Sequence, residues 1–498
     1  MSNENTSAIV SKVWSFCNPL RDIGVGYGDY LEQLTYLLFL KMADEFSKPP
    51  YNRKLPIPTE HNWESLTSRR GDELEQHYSK TLNVLSRQKG VLGQIFVQSQ
   101  NKIKEPAMLY KVIDMIDKEQ WATLGADIKG TIYEGLLEKN AEDTKSGAGQ
   151  YFTPRALIRA MVECVQPEPM KTIADPACGT GGFFLAAYDF IAKQKLDKTQ
   201  KHFLKHETFF GNEIVPNTRR MCLMNLFLHN IGDFESENFI SPADALISDS
   251  GLRVDYVLAN PPFGRKSSMT ATNEEGEQET DELTYNRQDF WETSSNKQLN
   301  FVQHIRTMMK STGQAAVVLP DNVLFEGGAG ETVRKKLMET TDLHTILRLP
   351  TGIFYRQGVK ANVLFFDNKP AAKQPWTKDI WIYDFRTNIH FTLKKNPLKL
   401  EDLREFINAY NPENRHKRKE TYNADTNPEG RFRKFTYEEI INRDKTSLDI
   451  TWIKDKSLAD LDNLPDPDVL AGEIIENLEA GLESFKEIMI TINGKNPI

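Results

Sequence analysis

Apolar residues early in the chain recur at helical spacing. Tyr30 to Glu45 carries Leu31, Leu34, Leu37, Leu38 and Met42, steps of three and four that line one face of a helix. Asp29 stands where a capping residue belongs. Pro49, Pro50, Pro56 and Pro58 then mark a loop before further helical segments. The polar stretch Lys139 to Gly149, with Ser146, Gly147 and Gly149, reads as a linker. Residues 1–147 are expected to form a helical N-terminal domain.

From residue 150 to 385 the pattern changes. Lys171–Asp175, Thr208–Glu213, Val254–Ala259, Ala315–Leu319, His344–Leu349 and Asn362–Phe366 are short apolar, β-branched runs. Buried parallel strands read this way. Strands alternating with helical patterns imply an α/β, Rossmann-like doubly wound sheet, here over residues 148–455. Residues 264–300 are polar and partly acidic, too long for an ordinary connection, hence disordered or a lid. Residues 411–435 carry Arg415, Lys417, Arg418, Lys419, Arg431, Arg433 and Lys434, a solvated loop or a phosphate-contacting patch. Residues 456–498 end in a helical tail. Leu470, Ile474, Leu478, Leu482, Phe485 and Met489 form one apolar stripe on it, facing either its own domain or a partner.

Composition narrows the class. The chain has 498 residues, 39% hydrophobic and 27% charged. These are globular values, so global disorder is excluded. Lys+Arg 62 against Asp+Glu 70 gives −8. That excludes a small basic DNA-coating protein but not a local basic cleft. Four dispersed cysteines with no CxxC exclude a disulfide framework or zinc ribbon. With no apolar segment near the N-terminus and none of membrane length, the expectation is a cytoplasmic protein without membrane contact.

Two motifs carry chemistry. In Thr172-Ile-Ala-Asp-Pro-Ala-Cys-Gly-Thr-Gly-Gly-Phe183 a strand ends at Asp175, a glycine turn follows, and a helix begins near Gly182. Glycines permit close backbone approach to a ligand and positive φ. The site falls at the carboxyl end of the first strand, where α/β sheets bind nucleotides. The spacing is not GxGxxG, and no GxxxxGK[ST] occurs, so a pyrophosphate cradle is not supported. Asp175 instead suits a ligand with a cationic amino group, such as S-adenosylmethionine (SAM). In Tyr256-Val-Leu-Ala-Asn-Pro-Pro-Phe263, Asn260 offers a side-chain carbonyl. Pro261 and Pro262 fix φ and lack N–H donors, so their carbonyls are available to a substrate N–H. Phe263 can stack on a planar ring. The set suits an exocyclic NH₂ held by two acceptors.

These motifs resemble the SAM-binding and catalytic motifs of amino-group DNA methyltransferases. Gln150-Tyr-Phe-Thr-Pro-Arg155 resembles the segment preceding the SAM motif in the group whose cofactor region comes first. Thr153 and Pro154 also read as N-cap and N1 of a helix whose start could meet the SAM carboxylate. The resemblance implies cofactor contacts from Gln150, Tyr151, Phe152, Thr153, Pro154, Arg155, Asp175, Ala177, Gly179, Thr180, Gly181 and Gly182. Glu213, in Gly211-Asn-Glu213, resembles the acid that binds the ribose hydroxyls. Asp244 matches the position that contacts the SAM adenine, though a helix cap fits it equally well. Glu213 lies farther past Asp175 than the ~20 residues of a dinucleotide fold, and the polar segment Lys193–Glu207 reads as an insertion.

With Asn300-Phe-Val-Gln-His304, Thr351-Gly-Ile-Phe-Tyr355 and Gly358-Val-Lys-Ala-Asn-Val-Leu-Phe-Phe366, nearly the whole chain resembles the modification subunit of type I restriction–modification systems. That family implies N6-adenine methylation of a flipped base in double-stranded DNA. It also implies a separate specificity subunit bound by two copies of this chain, and a restriction subunit. The Asn-Pro-Pro-aromatic turn also serves a self-contained methyltransferase, or enzymes acting on RNA or a protein glutamine. A non-catalytic SAM-binding scaffold is a third reading. His202 and His206 stand at helical spacing, but no third ligand follows, so a solvated face is expected rather than zinc. Cys178 reads as a small packed residue.

Overall fold

The computed structural model describes residue 15 and residues 27–121, 153–229, 231–232, 240–263, 268–272, 278–282, 285–354, 359–393 and 396–456. It also describes helical positions 471–472, 474–475, 478–479 and 482. Contacts divide the chain into two compact units. One joins residues 1–150 to 178–243; the other joins 151–177 to 244–498. The expected linker 139–149 lies outside the described residues.

In the first unit, α1 (Tyr27–Ser47), α2 (Trp63–Thr67), α3 (Gly71–Ser86), α4 (Gly90–Ile95) and α5 (Pro106–Asp117) form the N-terminal helices. α1 begins at Tyr27, so Asp29 lies inside it rather than at its cap. Leu34, Leu37, Leu38 and Met42 are fully buried, as their spacing required. The second unit contributes α6 (Arg155–Val165) and β1 (Ile173–Asp175) next along the chain. The first unit resumes with α7 (Gly182–Ala192), α8 (Lys198–His206), β2 (Phe209–Asn212), α9 (Pro216–Leu228) and β3 (Ile240–Ser241). α9 belongs with the N-terminal helices: Arg220 donates to Glu32 at 2.6 Å, and Phe227 packs on Phe39. β2 pairs in parallel with β3. The polar segment Lys193–Glu207 contains α8, with His202 and His206 adjacent on it. Among the described residues no group of three potential metal ligands forms, and no helix is long and apolar enough to cross a membrane.

The second unit continues with β4 (Val254–Ala259), β5 (Ser268–Thr272), β6 (Gln278–Glu282), α10 (Lys297–Met308), β7 (Met309–Pro320), α11 (Asn322–Phe325) and α12 (Ala329–Thr340). Beyond them come β8 (Thr341–Arg348), β9 (Ala361–Asn368), β10 (Asp379–Asp384), α13 (Arg404–Tyr410), β11 (Phe432–Thr436) and α14 (Tyr437–Ile441). Its strands follow the order β11-β10-β8-β9-β7-β4-β1. β1, β4 and β7 are parallel, so Asp175 and Asn260 emerge at the same sheet edge. β9 runs antiparallel to both β7 and β8, against the all-parallel expectation. The reason is the connection. The described residues of the connection, 349–354 and 359–360, contain no helix, and only a parallel neighbour needs a helical crossover.

Among its described residues the stretch 264–300 is not wholly irregular. β5 and β6 form an antiparallel hairpin within it. Residues 411–435 are also corrected. Arg415 pairs with Asp367 at 2.5 Å, Arg418 donates to the Tyr410 carbonyl, and Arg431 donates to the Asp384 carbonyl. These guanidiniums pin the loop to the sheet and to α13, so they are not a free phosphate patch; Lys417, Lys419 and Lys434 of the named set are exposed.

Candidate active site

β1 delivers the glycine turn. Asp175 is buried, and its Oδ1 accepts the Ala177 N–H at 2.9 Å. Gly179 and Gly181 adopt φ of +55° and +84°, a region costly for side chains. A Cβ on Gly181 would stand 3.1 Å from Cys222 Sγ, whereas one on Gly179 would meet nothing within 4 Å. The two glycines therefore answer different needs. Gly181 packs against α9, and Gly179 borders open space where a ligand can approach the backbone. α7 begins at Gly182 as expected. Asn225, fully buried on α9, donates to the Thr180 carbonyl at 2.9 Å. Glu213 closes the turn: its two oxygens accept the N–H groups of Gly179 (3.1 Å) and Val215 (2.7 Å). Burial pushes the Glu213 carboxyl up, and these N–H groups oppose the shift.

β4 delivers the second motif. The Asn260 amide is fixed at one end, its Nδ2 donating to Thr153 Oγ1 at 2.8 Å. Its Oδ1 is buried without a hydrogen-bond partner among the described residues. An unmet buried acceptor costs about 1–3 kcal/mol. Such cost persists where a ligand will supply the donor. Pro261 is buried and Pro262 exposed. The Pro262 carbonyl lies 3.4 Å from Gln298 Nε2, which donates to it. Of the two proline carbonyls, Pro261's is thus the candidate second acceptor. Phe263 is buried, and its ring meets Phe354 edge-on at 5.8 Å.

Asp244 opens a turn rather than a helix. Its carboxylate accepts the Leu246 N–H at 2.9 Å and the Tyr285 hydroxyl at 3.0 Å. Arg287 lies buried beneath this turn. It donates to the Ala245 and Leu246 carbonyls, pairs with Asp289 and donates to His304 Nδ1. Leu246, Tyr285 and Phe301 form a small core against which Ala177 packs. Burial and the Arg287 charge push His304 down to about 4, so it is neutral at pH 7. The fold penalises its cation, so stability is full above pH 6.5 and is lost as pH falls from there toward 4. Buried His344, pushed down to about 3, adds to the same trend. Thermal unfolding is expected to shift to lower temperature between pH 7 and 5. His304→Gln should remove its share, roughly 2 kcal/mol by pH 5; an unchanged pH slope in that variant would contradict this account.

Thr153 does not cap a helix. α6 starts at Arg155 with Pro154 at the N-cap and no side-chain cap, so Thr153 stands one residue before the cap, and its hydroxyl accepts from Asn260. Gln150, Tyr151 and Phe152 lie outside the described residues. Sequence reasoning missed Asn225, Tyr285, Arg287, Gln298 and Phe354. Only Phe354 carried a signal, as an aromatic within a familial segment. The others are contacts made by tertiary packing.

Comparison with known proteins identifies the family. Residues 124–451 match the family model described as N-6 DNA Methylase, and residues 9–116 match the HsdM N-terminal domain. The chain belongs to the N-6 DNA methylase family, as a type I restriction–modification methylase subunit. It is 39% identical to the type I restriction enzyme EcoKI methylase subunit of Escherichia coli (strain K12), over 97% of this chain and 95% of that protein. The crystal structure of the EcoKI M protein matches with a TM-score of 0.53 at 33% identity, covering 99% of this chain and 97% of that one. A type I methyltransferase subunit from Streptococcus thermophilus shares the fold, with TM-score 0.67 at 18% identity over 89% and 98% of the two chains. This methylase subunit is therefore an adenine-specific DNA methyltransferase built on the SAM-dependent methyltransferase fold.

Proposed function

We propose that this methylase subunit moves the methyl group of SAM to N6 of an adenine extruded from double-stranded DNA. The observation that carries the reading is Asn260 Oδ1, a buried acceptor without a partner among the described residues, at the carboxyl end of a parallel strand. SAM supplies an electrophilic methyl on a sulfonium sulfur. Asn260 Oδ1 and the Pro261 carbonyl accept the two amino hydrogens and draw the nitrogen lone pair out of conjugation. Pro262 stiffens the turn. Phe263 stacks on the extruded base, with Phe354 beside it. The new N–C bond forms as the S–C bond breaks, and the amine loses a proton to water. Positioning supplies most of the acceleration, against a flipping cost of a few kcal/mol.

The cofactor's fit is supported by the open space at Gly179 and the left-handed turn through Gly181. In this reading Asp175, Ala177, Thr180 and Gly182 shape the methionine side. Gln150, Tyr151, Phe152, Thr153, Pro154 and Arg155 meet its carboxylate end. Glu213 takes the ribose hydroxyls and Asp244 the adenine, using lone pairs beyond those already engaged. Ile214, 57% exposed beside Glu213, offers an apolar face for the ring.

The test is SAM titration by calorimetry. Gly179→Ala puts its Cβ into the space left for the ligand and adds the ~1–2 kcal/mol cost of a left-handed backbone, so it should weaken binding. Gly179→Asp and Gly181→Asp should eliminate it. Unchanged affinity in Gly179→Asp would sink the placement. Digestion of methylated duplex should yield N6-methyladenine.

The chain is proposed to work within a complex with a DNA-specificity subunit, two copies per specificity subunit, and with a restriction subunit. Residues 1–147, 148–455 and 456–498 then serve as helical domain, methyltransferase domain and docking tail. Ile474, Leu478 and Leu482, at four-residue steps, are 52%, 67% and 56% exposed, which supports a tail awaiting a partner.

A further inference from the structure

We infer that Thr153 is a positioning residue that sets the polarity of the Asn260 amide and makes it answer to cofactor occupancy. The inference rests on the reading above, in which Asn260 accepts the target amine and the segment around Thr153 meets the SAM carboxylate. An asparagine amide has two ends of nearly equal shape and opposite hydrogen-bonding character. Only one of its two orientations suits an amine. With Oδ1 facing the pocket, the base N–H finds an acceptor. Rotated by 180°, Asn260 would present its own NH₂ to another NH₂, leaving two donors opposed. Among the described residues, the competent orientation is held through one side-chain contact, Nδ2 to Thr153 Oγ1 at 2.8 Å, with Oδ1 enclosed and unpartnered.

That contact has a condition. A threonine hydroxyl is both donor and acceptor, and its proton rotates to suit its surroundings. Oγ1 accepts from Asn260 only while its own proton points elsewhere. If the proton turns toward Asn260, the amide gains by flipping, and the pocket then presents the wrong group. The proton is not committed to helix capping, since α6 has no side-chain cap. An anionic acceptor at the start of α6, where a helix N-terminus favours negative charge, would take the Thr153 O–H. It would thereby lock Oγ1 as the acceptor for Asn260. The carboxylate end of SAM is such a group. Cofactor binding then prepares the base pocket through one hydroxyl, and a base entering before the cofactor meets an amide of undetermined polarity.

The experiment uses the methylase assembled with its specificity subunit and a cognate duplex. Thr153→Val keeps the shape and removes the hydroxyl; Thr153→Ser keeps the hydroxyl. SAM affinity is measured by calorimetry, and methyl transfer by single turnover at saturating SAM. Thr153→Val should lower the saturated rate by about 10–100-fold while changing SAM affinity by less than about 10-fold. Thr153→Ser should recover most of the rate. A Val variant whose defect disappears at saturating SAM would overturn the inference, because Thr153 would then only bind cofactor. A Ser variant as slow as Val would also overturn it, since packing and not the hydroxyl would be responsible. Should Thr153→Val fail to assemble, Thr153→Cys, with its weak sulfur acceptor, carries the same expectation. Absence of N6-methyladenine from the wild-type complex would instead refute the underlying reading and is seen without any Thr153 variant.

Discussion

Asn260→Ala should reduce methyl transfer by the assembled enzyme on the order of 10³-fold or more, and leave SAM affinity within a few-fold. The side chain holds a buried acceptor that no described residue satisfies. Removing one well-placed hydrogen-bonding group from a reacting centre costs about 10²–10³-fold. Here the same truncation also releases Thr153 from its contact, so the loss should exceed the single-contact figure. Cofactor binding should survive, because the glycine turn is braced by Glu213 and Asn225 and not by Asn260. Single-turnover transfer with radiolabelled SAM, alongside calorimetry, separates the two. Wild-type turnover in Asn260→Ala would remove the catalytic assignment. Phe263→Ala should also abolish transfer, but its ring is buried against Phe354. That variant should lose stability as well, by about 3 kcal/mol, and needs a thermal unfolding control.

Deletion of residues 468–498 should leave SAM binding intact and destroy assembly with the specificity subunit. The described positions of the stripe, Ile474, Leu478 and Leu482, are more than half exposed, and Ile475 beside them is 56% exposed. Four large aliphatic side chains in water on one short stretch mark a surface meant for burial. An amphipathic helix laid against partner helices buries such a stripe at i, i+4, i+8 spacing. The intact chain alone should bind SAM but methylate DNA weakly and without sequence preference. Size-exclusion chromatography with the specificity subunit, followed by a methylation assay, reads both outcomes. Robust site-specific methylation by the isolated chain would contradict the docking assignment.

The chemistry of this protein was legible in its sequence wherever chemistry dictates residue type locally. An Asn-Pro-Pro-Phe turn after an apolar run needs no long-range information to be recognised, and neither does a glycine turn after Asp175. Both sit at strand ends, as the run lengths required. Helix α1 and the first strands were equally readable, because burial of one face imposes a period on the sequence. Strand direction was not readable. β9 is as apolar as its parallel neighbours, and only its connection decides that it runs the other way. The arginines of 411–435 looked like surface charge because a sequence records charge and not the carbonyls that a fold brings to meet it.

The sequence alone determined which groups would do the chemistry; the tertiary structure decided how they are held. Thr153 reads as a helix cap, yet the helix is capped at Pro154, and packing brings Asn260 to the Thr153 hydroxyl from 107 residues away. Tyr285 and Arg287 sit in a stretch that reads as loop, yet they become the support of the Asp244 turn. Pro261 and Pro262 are equivalent in sequence until Gln298 takes the carbonyl of one and leaves the other. In each case the deciding interaction joins residues far apart in the chain. Local propensity carries no record of such contacts, because their free energy exists only once the backbone has closed around them.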